Sequence, residues 1–132
     1  TLSNAGEKGV RLSWLIIQHA ISLPDFMREC LTQVRLAAGQ NDYPLELLAC
    51  LEDRISLFER GVQIYGTNRD WQNGELLPTP IEDPDMVNVR RKGLGLPPLD
   101  LSPMVTEDLP PKEPEKKARE YEEWLKRVGW RI

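Results

Sequence analysis

Nine of the eleven prolines in this chain lie at or after Pro78. Proline fixes φ and removes a backbone donor, so long helices and inner strands are confined to the residues before Pro78 and to whatever follows Pro114. The pattern predicts one mainly α domain over residues 1–132: a helical core (1–61), a small β-hairpin (62–80), a short helix (81–93), a proline-rich arm (94–114) and a docked C-terminal helix (115–132).

Helical spacing defines three consecutive helices in the first part. The first spans about Glu7 to Ile21 and carries two apolar faces, Leu12, Leu15, Ile16 and His19 on one, Val10, Trp14, Ile17 and Ile21 on the other. Two such faces predict a central helix, with Leu15 and Ile16 in the core. The second runs from about Pro24 to Ala38, with Met27, Leu31, Val34 and Ala38 inward and Gly39 as its stop. The third is introduced by Asn41-Asp42 and Pro44 and continues to about Arg60, with Leu48, Leu51, Ile55 and Phe58 inward and Gly61 closing it. Short connections predict an antiparallel three-helix core.

Beyond Gly61 the period changes. Val62-Gln63-Ile64-Tyr65 is β-prone, and Asn73-Gly74 is the dipeptide of a tight hairpin turn, flanked by Trp71 and Leu76-Leu77. Asp83-Pro84-Asp85 starts the short helix that Gly93 ends. In the last helix Ala118, Tyr121, Leu125 and Val128 share a stripe beside Trp124, which predicts that it docks on the domain.

Charge and composition exclude several function classes. The formal net charge is -4, from 17 basic and 21 acidic residues, so no basic face for nucleic acid is expected. The longest apolar run, Trp14 to Ile17, is too short for a membrane span. Cys30 and Cys50 read as buried free thiols of a cytoplasmic protein. One histidine cannot build a His-rich metal site, and no phosphate loop, nucleophile elbow or zinc spacing is present, so neither metal nor cofactor is expected.

One polar constellation stands out. Gln18-His19 lies in the most apolar helix, Asp53-Arg54 in the third helix, and Gln63 and Tyr65 just after it. Packing of the first helix on the third would gather them at one end of the core. A carboxylate beside an imidazole fixes its tautomer and raises its basicity, which suits acid–base work by His19 with Asp53 orienting it. Gln18, Arg54, Gln63 and Tyr65 would then hold a ligand. The alternative is a set of buried, hydrogen-bonded groups that support the fold.

Those residues also carry a resemblance. Trp14-Leu15-Ile16-Ile17-Gln18-His19-Ala20, Asp53-Arg54, Gln63-Ile64-Tyr65-Gly66-Thr67, Pro80-Ile81-Glu82-Asp83-Pro84, Arg90-Arg91 and Gly95-Leu96-Pro97-Pro98 resemble, in order, the signature of an uncharacterised bacterial domain family. The likeness covers about residues 1–98 and implies that Gln18, His19, Asp53, Arg54, Gln63 and Tyr65 belong together. In that family a helix ending in Gly-Trp-Pro precedes the segment equivalent to residues 1–9. Here Val128-Gly129-Trp130-Arg131 closes the chain instead, with Arg131 in place of the proline. The resemblance thus implies a circular permutation, with Thr1 and Ile132 within about 15 Å of one another, the reach of four extended residues.

Two function classes follow. The first is a soluble binding or protein-interaction module, with a small molecule or a protein as partner. The second is a metal-independent hydrolase or transferase in which His19 and Asp53 activate a water. Exchange of the C-terminal helix between two copies is the rival to the permutation, and a chance match of the short Gly129-Trp130 ending is the third reading.

Overall fold

The computed structural model describes residues 2–132, with side chains from residue 6 onward. Helix α1 spans Leu2–His19 and is interrupted at Gly6, whose φ of 72° breaks the helical path. It is followed by α2 (Pro24–Gly39) and α3 (Leu45–Arg60). Strands β1 (Arg69–Gln72) and β2 (Glu75–Pro78) form the hairpin, a 3-10 turn (Pro84–Met86) leads into α4 (Val87–Gly93), and α5 (Pro114–Val128) ends the order. The mainly α class with a small antiparallel hairpin is the one expected.

Local chemistry sets the helix ends. Pro24 opens α2 with Asp25 in its first turn, where a carboxylate meets the positive end of the helix dipole. Asn41, not Gly39, takes the left-handed position after α2 (φ 58°), and the Asp42 amide reaches back to the Ala37 carbonyl at 2.8 Å. Gly61 closes α3 at φ 74°. Gly129 closes α5 at φ 99°, with the Trp130 amide on the Leu125 carbonyl at 2.9 Å.

Helices α2 and α3 pack antiparallel, with Arg28 paired to Glu59 at 3.2 Å at one end and Arg35 to Glu52 at 2.8 Å at the other. Between them lie Met27, Leu31, Val34, Leu48, Leu51, Ile55 and Phe58, all buried in one cluster. The first helix departs from expectation. Val10 is buried, and Trp14 and Ile17 pack on the cluster, while Leu15 is 46% and Ile16 67% exposed. Only one of the two apolar faces of α1 is covered. The Trp14 indole N–H fixes that phase by donating to the Leu47 carbonyl at 3.1 Å.

The hairpin pairs Arg69 with Pro78 and Gln72 with Glu75 around Asn73-Gly74, both at positive φ as a twisted two-residue turn requires. Val62–Tyr65 is not a strand. Only Gln63 pairs, in an isolated parallel bridge to Ile81, because the following amides are bound elsewhere. The proline-rich arm lies along the hairpin: the Met104 amide donates to Leu76, and the Arg69 guanidinium donates to the carbonyls of Leu76, Asp100 and Ser102.

The last helix docks on its own chain. Leu125 and Trp130 are buried and Trp124 and Val128 pack beside them, whereas Tyr121 remains 40% exposed and Ala118 lies outside the contact. Phe58 on α3 meets the rings of Tyr121, Trp124 and Trp130, the nearest at 4.9 Å between centroids. The Trp130 indole N–H donates to the Ile21 carbonyl at 2.7 Å. Arg131 donates to the carbonyls of Leu57 and Phe58, in the last turn of α3, where a cation also complements the helix dipole. Thr1 lies outside the described residues, and with it the expected separation of Thr1 from Ile132.

Candidate functional site

Asp53 is the centre of the polar constellation, and it is fully buried on α3. Its Oδ1 accepts the amides of Ile64 and Tyr65 at 2.7 and 2.8 Å. Its Oδ2 accepts the amide and the hydroxyl of Thr67 at 2.9 and 2.8 Å. A buried carboxylate needs such donors, since the desolvation cost of the charge is otherwise uncompensated. The four bonds pull residues 64–67 out of strand geometry and wrap them around one side chain.

The same loop is held from its other side. Gln63, also fully buried, donates from Nε2 to the carbonyls of Asn68 and Thr79 and accepts the Asn68 amide on Oε1. Arg90 donates to the carbonyls of Ile64, Glu82 and Asp83, and Arg91 to those of Tyr65 and Pro97. Asp53 thus takes the loop's amides while the two arginines take its carbonyls. Gly66 sits between at φ 78°, with Leu99 so close that an added Cβ would lie 2.5 Å from its Cδ2. The Gln-x-Tyr-Gly-Thr, Pro-Ile-Glu-Asp-Pro, Arg-Arg and Gly-Leu-Pro-Pro segments therefore meet in one latch.

Only part of the expected constellation meets there. Asp53, Gln63 and the Tyr65 backbone come together. His19 is exposed at the end of α1 and makes no hydrogen bond or ion pair among the described residues. Gln18 is 5% exposed, and its Nε2 has no partner among the described residues. Arg54 is half-buried and makes no hydrogen bond there; its charge acts on Cys50 and Tyr121. The residues not selected from the sequence were Thr67, Arg90 and Arg91. The signal for them was present: a Gly-centred turn needs its flanking amides and carbonyls bound, and two adjacent arginines downstream offer planar donors.

The latch contributes Ile64 to the lining of a groove between α2 and α3. The groove holds about 330 Å³ and is lined by Arg28, Arg35, Glu52, Ser56, Arg60 and Ile64 among others. The Tyr65 phenol is pushed above its ordinary pKa, first by burial and then by the Glu52 carboxylate beside it, so it stays a neutral donor at physiological pH. Arg60 donates to Ser56 Oγ at 2.6 Å and to Glu82 at 2.7 Å, and Ser56 in turn donates to the Val62 carbonyl at 2.6 Å. Bases and acids alternate along the groove, so it does not concentrate charge of one sign. Cys30 and Cys50 are free thiols, half-buried and not sealed. Among the described residues no group of three or more His, Cys, Asp or Glu side chains is arranged to hold a metal ion, and no helix is long and apolar enough to cross a membrane.

The chain belongs to a family of unknown function, DUF6624, whose model matches residues 1–109. The match takes in α1 to α4, the latch and most of the arm, and stops before α5. No curated protein and no solved structure matches the chain.

Proposed function

We propose that this member of the DUF6624 family is a binding module that grips a mixed-charge peptide segment of a protein partner in the α2–α3 groove. The observation that carries the reading is the buried Asp53 carboxylate, whose two oxygens are taken up by four hydrogen bonds to residues 64–67. A carboxylate so engaged serves as scaffold, and it gives His19 no orienting partner for the acid–base alternative. The latch fixes Ile64 at the edge of the groove, and a side chain already fixed loses little entropy on binding. Arg28, Arg35 and Arg60 already pair with Glu59, Glu52 and Glu82, and a peptide of mixed charge would join these ion pairs through the remaining guanidinium N–H groups and carboxylate lone pairs. The cytoplasmic setting expected from the two thiols belongs to the same reading.

The tail extends it. Residues 110–132 lie beyond the family match, yet Leu125, Trp130 and Arg131 complete the core against Ile21 and the end of α3. That docking supports the permuted order, in which α5 takes the place of a helix that precedes α1 in the resembling family. The whole chain of 132 residues then acts as one domain.

Selection from a random peptide display library on the whole chain tests the function. Enrichment of peptides carrying both acidic and basic side chains is expected, with binding lost in Arg35→Glu, lost in Glu52→Arg, not restored in the double variant, which re-forms the α2–α3 ion pair with its charges reversed toward the peptide, and unchanged in His19→Ala. A library without enrichment, or binders indifferent to Arg35 and Glu52, overturns the reading.

A further inference from the structure

Where the proline-rich arm enters α5, a cleft runs between that helix and β1. It consists of two pockets, of about 300 and 400 Å³, that share Asp70 and Tyr121. The first is walled by Trp71, Pro111, Pro114, Lys117 and Ala118, and the second reaches Glu122 and Arg131. The fold leaves the polar groups of the first pocket free. The indole N–H of half-buried Trp71 is open to solvent and makes no hydrogen bond among the described residues. The hydroxyl of Tyr121, a residue 40% exposed, makes none either, and burial pushes its pKa up, so it is a protonated donor at neutral pH. Lys117 has no ion pair among the described residues. Asp70 accepts the Trp71 amide at 2.8 Å on one oxygen and leaves the other without a partner.

We propose that this cleft binds an extended, proline-rich segment of a partner protein that carries one basic side chain. The balance of donors sets the first limit. Trp71, Tyr121 and Lys117 offer free donors against one free carboxylate oxygen, so the ligand must be rich in acceptors and poor in donors. Proline has a carbonyl and no N–H, and a run of prolines strands no amide in the cleft. Shape sets the second. A polyproline helix is formed before it binds, and its flat rings suit a surface of Trp71, Tyr121 and Pro111. At about 3.1 Å per residue such a segment passes Asp70 and Tyr121 and continues from one pocket into the next. Charge sets the third. The free Asp70 oxygen accepts from the basic side chain, and Lys117 bars a second cation from the first pocket.

Titration of the ¹⁵N-labelled chain with a capped peptide of one arginine flanked on each side by about four prolines tests the proposal by NMR. Saturable shifts are expected at the Trp71 indole N–H and at the amides of Trp71, Ala118 and Tyr121. The same peptide with glycine and serine in place of the prolines should bind at least about tenfold more weakly, because a flexible chain must be ordered on binding. Citrulline in place of the arginine should weaken binding to the unaltered chain by about fivefold, the upper worth of an exposed ion pair, and change nothing in Asp70→Asn. The two peptide controls use the unaltered chain, so they stand even where Asp70→Asn fails to fold. No saturable shift at these positions, equal binding of the glycine-serine peptide, or indifference to citrulline would overturn the proposal. Shifts of the same resonances on raising the protein concentration without peptide would make the occupant a second copy and overturn it as well. None of these results bears on Arg35 or Glu52, so failure here leaves the α2–α3 groove untouched.

Discussion

Thr67 binds one oxygen of Asp53 twice, through its backbone amide at 2.9 Å and its hydroxyl at 2.8 Å. The pair ties the far end of the 64–67 loop to α3, as the amides of Ile64 and Tyr65 tie its near end to the other oxygen. Residues 11 to 14 positions apart in the sequence are thereby tied side by side. Ile64, which lines the groove, is held by its amide on Asp53, so the groove depends on a carboxylate that does not line it.

Gly66 is the narrowest point of the latch. Gly66→Ala would place a Cβ 2.5 Å from Leu99 at a φ of 78°, whereas Gly74→Ala, at φ 82°, meets nothing within 4 Å. Left-handed backbone alone costs about 1–2 kcal/mol for an L-residue. Gly74→Ala should lose about that much in urea unfolding, and Gly66→Ala clearly more, because Leu99 must also move.

Trp130 anchors the tail through its ring and its N–H. Trp130→Ala should destabilise by about 3–5 kcal/mol, the range for a buried aromatic. Trp130→Phe keeps the packing on Phe58 and leaves the Ile21 carbonyl without its 2.7 Å donor, so a smaller loss of about 1–2 kcal/mol is expected. Equal losses in the two variants would show that the indole N–H contributes nothing.

Tyr43 gives the fold an alkaline limit. Its folded pKa, about 12, lies above the ordinary value of 10.0, so between these values the folded chain holds a proton that the unfolded chain releases. Stability therefore falls as pH rises from 10 toward 12, the window set by that shift. Tyr43→Phe should flatten the fall, and ultraviolet titration should find Tyr43 among the last tyrosines to ionise.

The helical core was readable from spacing because α2 and α3 each carry one apolar stripe. The turn at Asn73-Gly74 was readable because few dipeptides tolerate two positive φ values. The first helix was ambiguous for the opposite reason: Leu12, Leu15 and Ile16 compete with Val10, Trp14 and Ile17, and only tertiary bonds such as Trp14 to Leu47 choose between them. Ile16→Ala should accordingly change stability by less than about 0.5 kcal/mol, against about 2–5 kcal/mol for Leu51→Ala. Thermal or urea unfolding of the two variants measures the difference. The site was half legible. Asp53 and Gln63 were found as a cluster, but an aspartate that orients an imidazole and one that caps a loop read alike in sequence. Val62–Tyr65 reads as a strand by propensity, and the carboxylate bonds override that preference.

Native-state hydrogen exchange at the amides of Ile64, Tyr65 and Thr67 tests the structural role of Asp53 most directly, read in the unaltered chain, Asp53→Asn and His19→Ala. Asparagine keeps the size and removes the charge and one acceptor oxygen. Loss of a charge-assisted bond worth about 1.5–3 kcal/mol predicts protection lowered by about tenfold to a hundredfold at these amides in Asp53→Asn. His19→Ala should leave them as they are. Unchanged protection in Asp53→Asn, or a comparable loss in His19→Ala, would contradict the account and return His19 and Asp53 to one working pair.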